Sequence, residues 1–357
     1  MILEKRKDLG TTSSSKRYVL KENDEGPHYS NFFNIREWWY YNVLFNNPES
    51  ELRNWSAVIA ISALTEYDSL KLILHDNADK SYGGIYLGSL GTTKVDGPGV
   101  NVKFYNSFIR GVYPNWHVFA ENITMDENEL TVDLDFTSTS FPMWIFMNTG
   151  RNLSKSPFGY YLIINCDVKG KVKLNDTVYK VSGLGYYDHT WSPGFYRRSI
   201  RKKKAFVGIG VWDWLCIHFD NGWDMFVGKI YSPNSSFFSK LIPGSLCLTP
   251  DGKQLIECFF FELDYKKYRK TTISSIKTPS KINIKARKAI TRKTFPLKGP
   301  LNFNIYYEAD NIKECICGTP PNWGQWESTG KVYGEVRGSE KNIKLNGWGI
   351  MEISRKI

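Results

Sequence analysis

The chain has 357 residues, 15% of them aromatic, and carries 47 Lys or Arg against 36 Asp or Glu, for a formal net charge of +11. That length exceeds one ordinary core and implies about two domains. No run approaches the roughly 18 apolar residues a membrane helix needs, and the charged, Ser-rich start from Met1 to Asp24 is neither a signal peptide nor a membrane anchor.

Taken in order, residues 1–30 read as a mobile lead-in with little core to contribute. Arg36 to Phe45 is too aromatic for a surface helix and ends at the turn-like Asn46-Asn47-Pro48. Trp55 to Leu64, Ser69 to His75 and Tyr82 to Leu90 follow as short apolar strands. Val100 to Ile109 comes after the turn Asp96-Gly97-Pro98-Gly99. Trp116 to Ile123 and Leu130 to Phe136 alternate around a turn at 125–129. Gly159 to Val168 and Val172 to Val181 read as a hairpin around Lys169-Gly170-Lys171. Phe206 to Phe219 and Trp223 to Tyr231 flank Asp220-Asn221-Gly222, a strong hairpin signal. Leu246 to Leu248, Leu255 to Leu263, Leu301 to Glu308, Trp326 to Gly334 and Ile343 to Ile353 complete the set. Many short strands with regular turn signals and no long helical pattern predict an all-β protein of barrels or barrel-like sandwiches. The expected division is a lead-in over 1–30, a β domain over 31–191, a basic connector over 192–204 and a second β domain over 205–357.

The densest chemistry lies in Gly183-Leu-Gly-Tyr-Tyr-Asp-His-Thr-Trp191. On a strand, alternation puts Tyr186, Asp188 and Thr190 on one face and Tyr187, His189 and Trp191 on the other. Burial disfavours the charged form, moving Asp188 toward a neutral carboxylic acid and His189 toward neutral imidazole. The plain alternative is a buried Asp–His pair that closes the β-structure by hydrogen bonding. Trp212-Asp213-Trp214 repeats the theme, with both Trp opposite Asp213.

Charge is concentrated between Lys266 and Lys293, which holds 11 Lys or Arg and no acid. Ile273, Ile276, Ile282 and Ile284 in this stretch suggest exposed strands with a few inward residues. Such a surface suits solvent, an anionic membrane or nucleic acid. Only Tyr265 and Tyr268 interleave with it, so nucleic-acid binding is the weakest of the three. The six cysteines are scattered and fit free thiols of a soluble cytoplasmic protein, membrane-peripheral at most. His75, His117 and His218 have no ligand-like spacing, and neither a phosphate loop nor a Gly-x-Ser-x-Gly elbow is found. No metal or cofactor is expected.

Glu37-Trp38-Trp39-Tyr40, Tyr160-Tyr161, Gly183-x-Gly185-Tyr186-x-Asp188-His189-x-Trp191, Trp212-Asp213-Trp214 with Asp220-x-Gly222, Trp326-Glu327, Gly334 and Gly347-x-Gly349-x-x-Glu352 occur in a telling order. Together they resemble the lipocalin-like family of carotenoid 1,2-hydratases, or hydroxyneurosporene synthases, and AttH-type proteins, over residues 31–355. Ser192-Pro193 and Ser328 stand where that family usually has glycine. The resemblance implies tandem lipocalin-like β-barrels with an apolar ligand site inside or between them, and either a cofactor-free hydratase or cyclase of isoprenoid- or polyketide-like molecules or a non-catalytic carrier of them.

Hydrating an alkene needs a neutral acid to donate a proton, π faces to hold the cation, and water. Asp188 and Asp213 are the two candidate acids, and His189 would hold water or orient the acid. The matching His-x-Trp element is His189 and Trp191. Tyr186, Trp191, Trp212 and Trp214 are candidate cation-stabilising rings, and Trp38, Trp39, Tyr40 and Trp326 complete the expected ligand lining. Glu37, Glu327 and Glu352 are expected to be structural hydrogen-bond acceptors.

Overall fold

Side-chain alternation along the strands sorts the aromatic and aliphatic residues into three buried cores, and those cores define the architecture. The computed structural model describes residues 20–28, 35–64, 67–78, 80–122, 128–144, 159–193, 211–231, 244–250, 256–258, 261–271, 276–289, 300–317 and 323–356. The first sheet contains β1 (Ile35–Phe45), β2 (Ser56–Ala63), β3 (Asp68–His75), β4 (Ser81–Gly88), β5 (Thr93–Val95), β6 (Val100–Phe104), β7 (Ser107–Val112), β8 (Asn115–Glu121), β9 (Leu130–Ser138), β10 (Pro142–Trp144), β11 (Gly159–Leu174) and β12 (Thr177–Pro193). Its order is β4-β3-β2-β1-β12-β11-β9-β8-β7-β6-β5, with β10 on β11. Thr93 of β5 donates its N–H to Asp68 of β3 and its hydroxyl to the Ser62 carbonyl of β2, drawing the two ends of the sheet into a nearly closed barrel.

The second sheet, a half-barrel, contains β13 (Val211–Phe219), β14 (Asp224–Tyr231), β15 (Ser245–Thr249), β16 (Ile256–Cys258), β17 (Phe261–Lys270), β18 (Lys277–Ala289), β19 (Leu301–Cys317), β20 (Trp323–Arg337) and β21 (Asn342–Lys356). Its order is β16-β15-β14-β13-β21-β20-β19-β18-β17. Every pairing in both sheets is antiparallel, as a chain of hairpins and β-branched or aromatic strands dictates. Each sheet encloses its own core, around Trp39, Tyr41 and Trp191 in the first and Ile217, Tyr307 and Trp326 in the second. A third core, with Tyr40, Ile73, Tyr186, Trp214 and Phe226, fills the seam where the two sheets pack together.

Three expectations are corrected. Lys169-Gly170-Lys171 is not a turn: β11 runs straight through it, and the chain reverses at Asn175-Asp176, where Asn175 takes a positive φ of 53°. Gly170 is needed because φ is 155° there and a Cβ would lie 2.0 Å from the Asp133 carbonyl oxygen. Val100 to Ile109 is two strands, β6 and β7, joined at Tyr105-Asn106. Residues 20–28 do not trail from the barrel: the short helix α1 (Glu22–Glu25) and His28 pack into it, with Glu25 and His28 fully buried. Trp116 Nε1 and the Tyr113 N–H donate to the Glu25 carboxylate at 2.9 and 2.8 Å. Apart from Ser192 and Pro193, which end β12, the expected connector over 192–204 lies outside the described residues.

Candidate active site at the seam between the two sheets

The site is organised by the central antiparallel pair β1–β12, in which Tyr40 lies opposite Asp188 and Trp39 opposite His189. Trp38, Tyr40 and Asn42 of β1 and Tyr186, Asp188 and Thr190 of β12 share the seam face, whereas Trp39, Tyr187, His189 and Trp191 turn into the barrel. Asp188 and His189 are therefore on opposite sides of the sheet, and the expected partnership between them is not formed.

Asp188 is buried between aromatic rings from both sheets. Its Oδ2 accepts hydrogen bonds from Tyr186 at 2.9 Å and Tyr160 at 3.3 Å, and Trp214 Nε1, across the seam, donates to both tyrosine oxygens at 3.1–3.2 Å. Tyr186 and Tyr40 meet the Trp214 ring edge-on, at centroid distances of 4.8 and 5.2 Å. Burial drives the Asp188 carboxyl well above its ordinary value, the Glu352 charge adds to this, and the tyrosine donors only partly offset it. Asp188 is a neutral acid facing π surfaces.

Beside it lies an ion cluster that spans the seam. Lys71 of β3 places Nζ 2.6 Å from Glu327 Oε1 and 2.6 Å from Glu352 Oε2, and Trp212 Nε1 donates to Glu352 Oε1 at 2.5 Å. Burial works against all three charges. Lys71 prevails because two carboxylates hold it protonated, and its ammonium keeps Glu352 below the ordinary carboxylate range. Burial and the neighbouring Glu352 charge leave Glu327 raised. The cluster thus holds one ammonium between two carboxyl groups whose proton affinities are pushed apart, Glu327 upward and Glu352 downward.

The inward face forms a separate network. Glu37 Oε1 accepts from His189 Nε2 at 2.7 Å and His28 Nδ1 at 2.8 Å, and the His28 backbone N–H donates to Oε2 at 2.9 Å. Burial opposes the Glu37 charge, but these donors outweigh it and bring its pKa to about 2. Burial lowers His189 to about 4 despite Glu37, so neutral His189 donates from Nε2 while Nδ1 faces Tyr161 Oη at 3.3 Å. His28 stacks on Trp191 with ring centroids 3.6 Å apart. Among the described residues, His28, Glu37 and His189 are the group whose donor atoms are close enough to hold a metal ion, within 4.8 Å of one another. The two imidazole protons already occupy the Glu37 oxygen such an ion would need. Glu37 serves here as a hydrogen-bond acceptor for His28 and His189.

The other predicted residues divide accordingly. Trp38, Tyr40, Tyr186, Trp212 and Trp214 border the seam, whereas Trp39, Trp191 and Trp326 are barrel core. Asp213 points away from the seam, where Arg355 and Tyr265 bond its carboxylate, so it is an ion-paired strut rather than an acid among aromatic rings. Glu327 and Glu352 were expected to be structural acceptors, and they are ion-cluster members on the seam. Cys216, His218 and Asp224 form a relay on the same seam, with Sγ···Nε2 at 3.7 Å and Nδ1···Oδ1 at 2.7 Å, anchored by Asn165 Nδ2 donating to Asp224 at 2.8 Å. Burial raises the Cys216 thiol, so this relay fastens the sheets and offers no thiolate.

No family model and no curated protein matches this sequence. Solved structures do. An AttH-type protein from Nitrosomonas europaea superposes with a TM-score of 0.66 at 16% identity, covering 95% of this chain and 97% of that one. Kievitone hydratase from Nectria haematococca gives 0.62 at 11% identity, covering 96% and 95%. CghA with Sch210972 gives 0.54 at 12% identity, covering 96% and 97%. The chain has the tandem lipocalin-like fold of the AttH-type proteins. At these identities the likeness carries the fold, and the chemistry has to be read from the seam.

Within the AttH-type fold the two halves repeat one plan. The pair Tyr40–Asp188 in β1–β12 has its register counterpart in Trp214–Glu352 in β13–β21. Gly183 and Gly185 correspond to Gly347 and Gly349, and Gly170 to Gly334, which shares its positive φ (154°). Sequence reasoning expected two barrels but did not align them, because little beyond the glycine spacing, Trp38/Trp212 and Phe45/Phe219 survives in the repeat. It also missed Lys71, and it gave Tyr160 a place in a motif but no role at the site. Lys71 carried a readable signal, since a single lysine in the apolar strand Leu70-Lys-Leu-Ile-Leu74 must find a charged partner if both strand faces are covered.

Proposed function

We propose that the protein is a cofactor-independent hydratase or cyclase of an apolar, alkene-bearing small molecule, with Asp188 as the proton donor. The observation that carries this reading is a carboxyl group kept neutral by burial and surrounded by Tyr40, Tyr160, Tyr186 and Trp214. A similar fold is found in a hydratase, and another similar structure was solved with the small molecule Sch210972.

In the forward direction the Asp188 proton is transferred to one alkene carbon, and the C=C π pair forms the new C–H bond. The adjacent carbon becomes cationic. The tyrosine and tryptophan faces, each contributing about 0.5–2 kcal/mol to cation binding, and the Glu352 carboxylate stabilise it. Water adds its lone pair to the cation, and the resulting oxonium returns a proton to the Asp188 carboxylate, restoring the acid. Capture by a second alkene instead of water forms a ring C–C bond and moves the cation to that alkene's other carbon, which then loses a proton to the Asp188 carboxylate; the reverse of hydration is dehydration. Water exclusion keeps the acid protonated and strengthens the cation contacts.

A carrier reading draws on the same seam. No group that bonds Asp188 is more than 8% exposed, which suits retention of a hydrophobe without turnover. The test is mass spectrometry of small molecules that copurify from the host, followed by incubation of the recovered compound with wild type and Asp188→Asn. Conversion by wild type that Asp188→Asn abolishes with binding retained is the expected result. Binding without conversion by wild type would leave a carrier.

The same reading includes peripheral contact with anionic lipid at the β17 edge, where Lys266, Lys267, Tyr268, Arg269 and Lys270 are exposed. Its reach is limited, because Asp264 pairs with Lys266 and Lys285, and Glu308 with Lys267 and Lys281, although the basic stretch itself contains no acid. Among the described residues, no helix is long and apolar enough to cross a membrane.

A further inference from the structure

The seam face of β1–β12 carries a concentration of polar atoms that the fold leaves poorly satisfied. Asn42 is fully buried, and neither its Nδ2 nor its Oδ1 makes a hydrogen bond of normal geometry. Asp188 Oδ1 and Thr190 Oγ1 are without partners, in residues each 4% exposed, and Tyr40 Oη, in a residue 6% exposed, has only the Asn42 side chain beside it. The four residues lie on one face of two adjacent strands, with Tyr40 opposite Asp188 and Asn42 opposite Tyr186. Folded proteins bond most of their buried polar groups, and each exception costs free energy that the rest of the fold must supply. Such exceptions gathered on one face, one of them on the neutral acid itself, indicate a place kept for polar groups of a guest.

We propose that the seam binds a neutral, oxygen-bearing hydrophobe and holds its hydroxyl or carbonyl group with Asn42, Tyr40 and Asp188, rather than binding a pure hydrocarbon. The inference rests on the reading of the seam as the ligand site, and it specifies the ligand's chemistry.

The donor set determines that chemistry. Asn42 presents a donor and an acceptor together, Tyr40 a hydroxyl, and protonated Asp188 a further donor from Oδ1. A hydroxyl group, or a carbonyl beside a hydroxyl, complements donor and acceptor at once. A hydrocarbon leaves every one of them unsatisfied. An ionised carboxylate is disfavoured because the face offers it no cation: Lys71 is already held by Glu327 and Glu352, and burying an unpaired anion is costly. Sites built to hydrogen-bond a substrate oxygen reject analogues that lack it far more strongly than apolar pockets discriminate by size. Asn42 and Tyr40 would then be specificity-determining, and Asp188 would both bind the oxygen and lie next to the alkene it protonates.

The test uses the full chain and three ten-carbon probes of related skeleton, myrcene (hydrocarbon), geraniol (alcohol) and geranic acid (carboxylate at pH 7.5), with binding followed by quenching of tryptophan fluorescence. Geraniol is expected to bind wild type at least about tenfold more tightly than either of the others, roughly the discrimination one recognised polar group supplies. In Asn42→Leu that preference should fall to within about threefold, with myrcene binding retained. Tyr40→Phe, which removes a single oxygen, should reduce it partially. A ligand-free readout accompanies this: because the Asn42 amide is unsatisfied, Asn42→Leu should raise Tm by a few degrees, trading function for stability. Equal binding of myrcene and geraniol, tightest binding of geranic acid, no geraniol binding, or a lowered Tm in Asn42→Leu would each overturn the proposal. Product analysis by gas chromatography on the same samples separates the two readings. Selective geraniol binding without hydration, cyclisation or dehydration counts against the enzyme and leaves the recognition of oxygen standing.

Discussion

Lys71→Met isolates the electrostatics that join the two halves. Methionine occupies most of the lysine stem's volume, so what is lost is the ammonium 2.6 Å from both Glu327 and Glu352. Removing one partner of a buried pair typically costs about 3–5 kcal/mol, because the remaining charge is left without compensation. The pH dependence follows from Glu352. Its folded pKa lies below the unfolded value in the wild type, with burial opposing and Lys71 imposing the shift. Its contribution is therefore present above about pH 4.5 and lost as pH falls through the folded value. Without Lys71 only burial remains, and the carboxyl moves up instead. The variant is then penalised most at pH 7–8 and relieved as Glu352 takes up a proton. Urea unfolding at pH 7.5 and pH 5 should show a deficit of about 3–5 kcal/mol that shrinks on acidification. A triple variant, Lys71→Met with Glu327→Gln and Glu352→Gln, should recover most of it. A deficit below about 1 kcal/mol at pH 7.5, the range of exposed pairs, or one that grows on acidification, would refute the argument.

Asp188→Asn should abolish turnover while changing stability by less than about 1 kcal/mol, since a neutral amide replaces an already neutral acid; circular dichroism melts beside an activity assay check both. Burial raises Glu25 to about 7, with the Tyr113 and Trp116 donors holding it back. Its protonated form stabilises the fold below about pH 4.5, and that contribution is lost as pH rises through 7. Glu25→Gln should therefore gain on wild type between pH 5 and pH 8, by up to about 3 kcal/mol, and parallel Tm–pH curves would contradict this. Gly170→Ala should cost more than about 1 kcal/mol, because its φ of 155° and the Asp133 carbonyl leave no room for a Cβ; a neutral result in chemical denaturation would show that β11 bends by other means.

Much of the β architecture could be read from alternation and turn chemistry. The placement of Asp188 opposite His189 on the two faces of β12 also followed from the two-residue period alone. Lys169-Gly170-Lys171 misled because glycine serves equally in a turn and in a strand where another backbone approaches closely, and only the neighbouring Asp133 carbonyl tells the two apart. Asp213 misled because its ion-pair partner, Arg355, lies 142 positions away. The lead-in misled because a polar segment was read as unable to bury itself, whereas Glu25 bonds Tyr113 and Trp116 and His28 stacks on Trp191, all far along the chain. Local pattern identifies which face a side chain takes; it does not report what sits across from it.

The repeat supports the proposal that Asp188 is the acid and gives that assignment a sharp test. In the first half the register position of Glu352 is occupied by Asp188, that of Glu327 by Leu162, and in the second half that of Lys71 by Ser245. The same plan therefore carries a lysine and a second glutamate around one carboxylate and neither a lysine nor a second acid in the corresponding places around the other. One carboxylate is held ionised and the other neutral, which is how two like groups acquire different roles. Glu327, also raised by burial, is the rival proton donor. Glu327→Leu installs the first half's residue in the second and leaves Lys71 paired one-to-one with Glu352. If Asp188 donates the proton, this variant should fold and keep turnover within a few-fold of wild type, because none of the bonds to Asp188 involves Glu327. Turnover lost in Glu327→Leu but kept in Asp188→Asn would reverse the assignment and put the chemistry on the other half of the repeat.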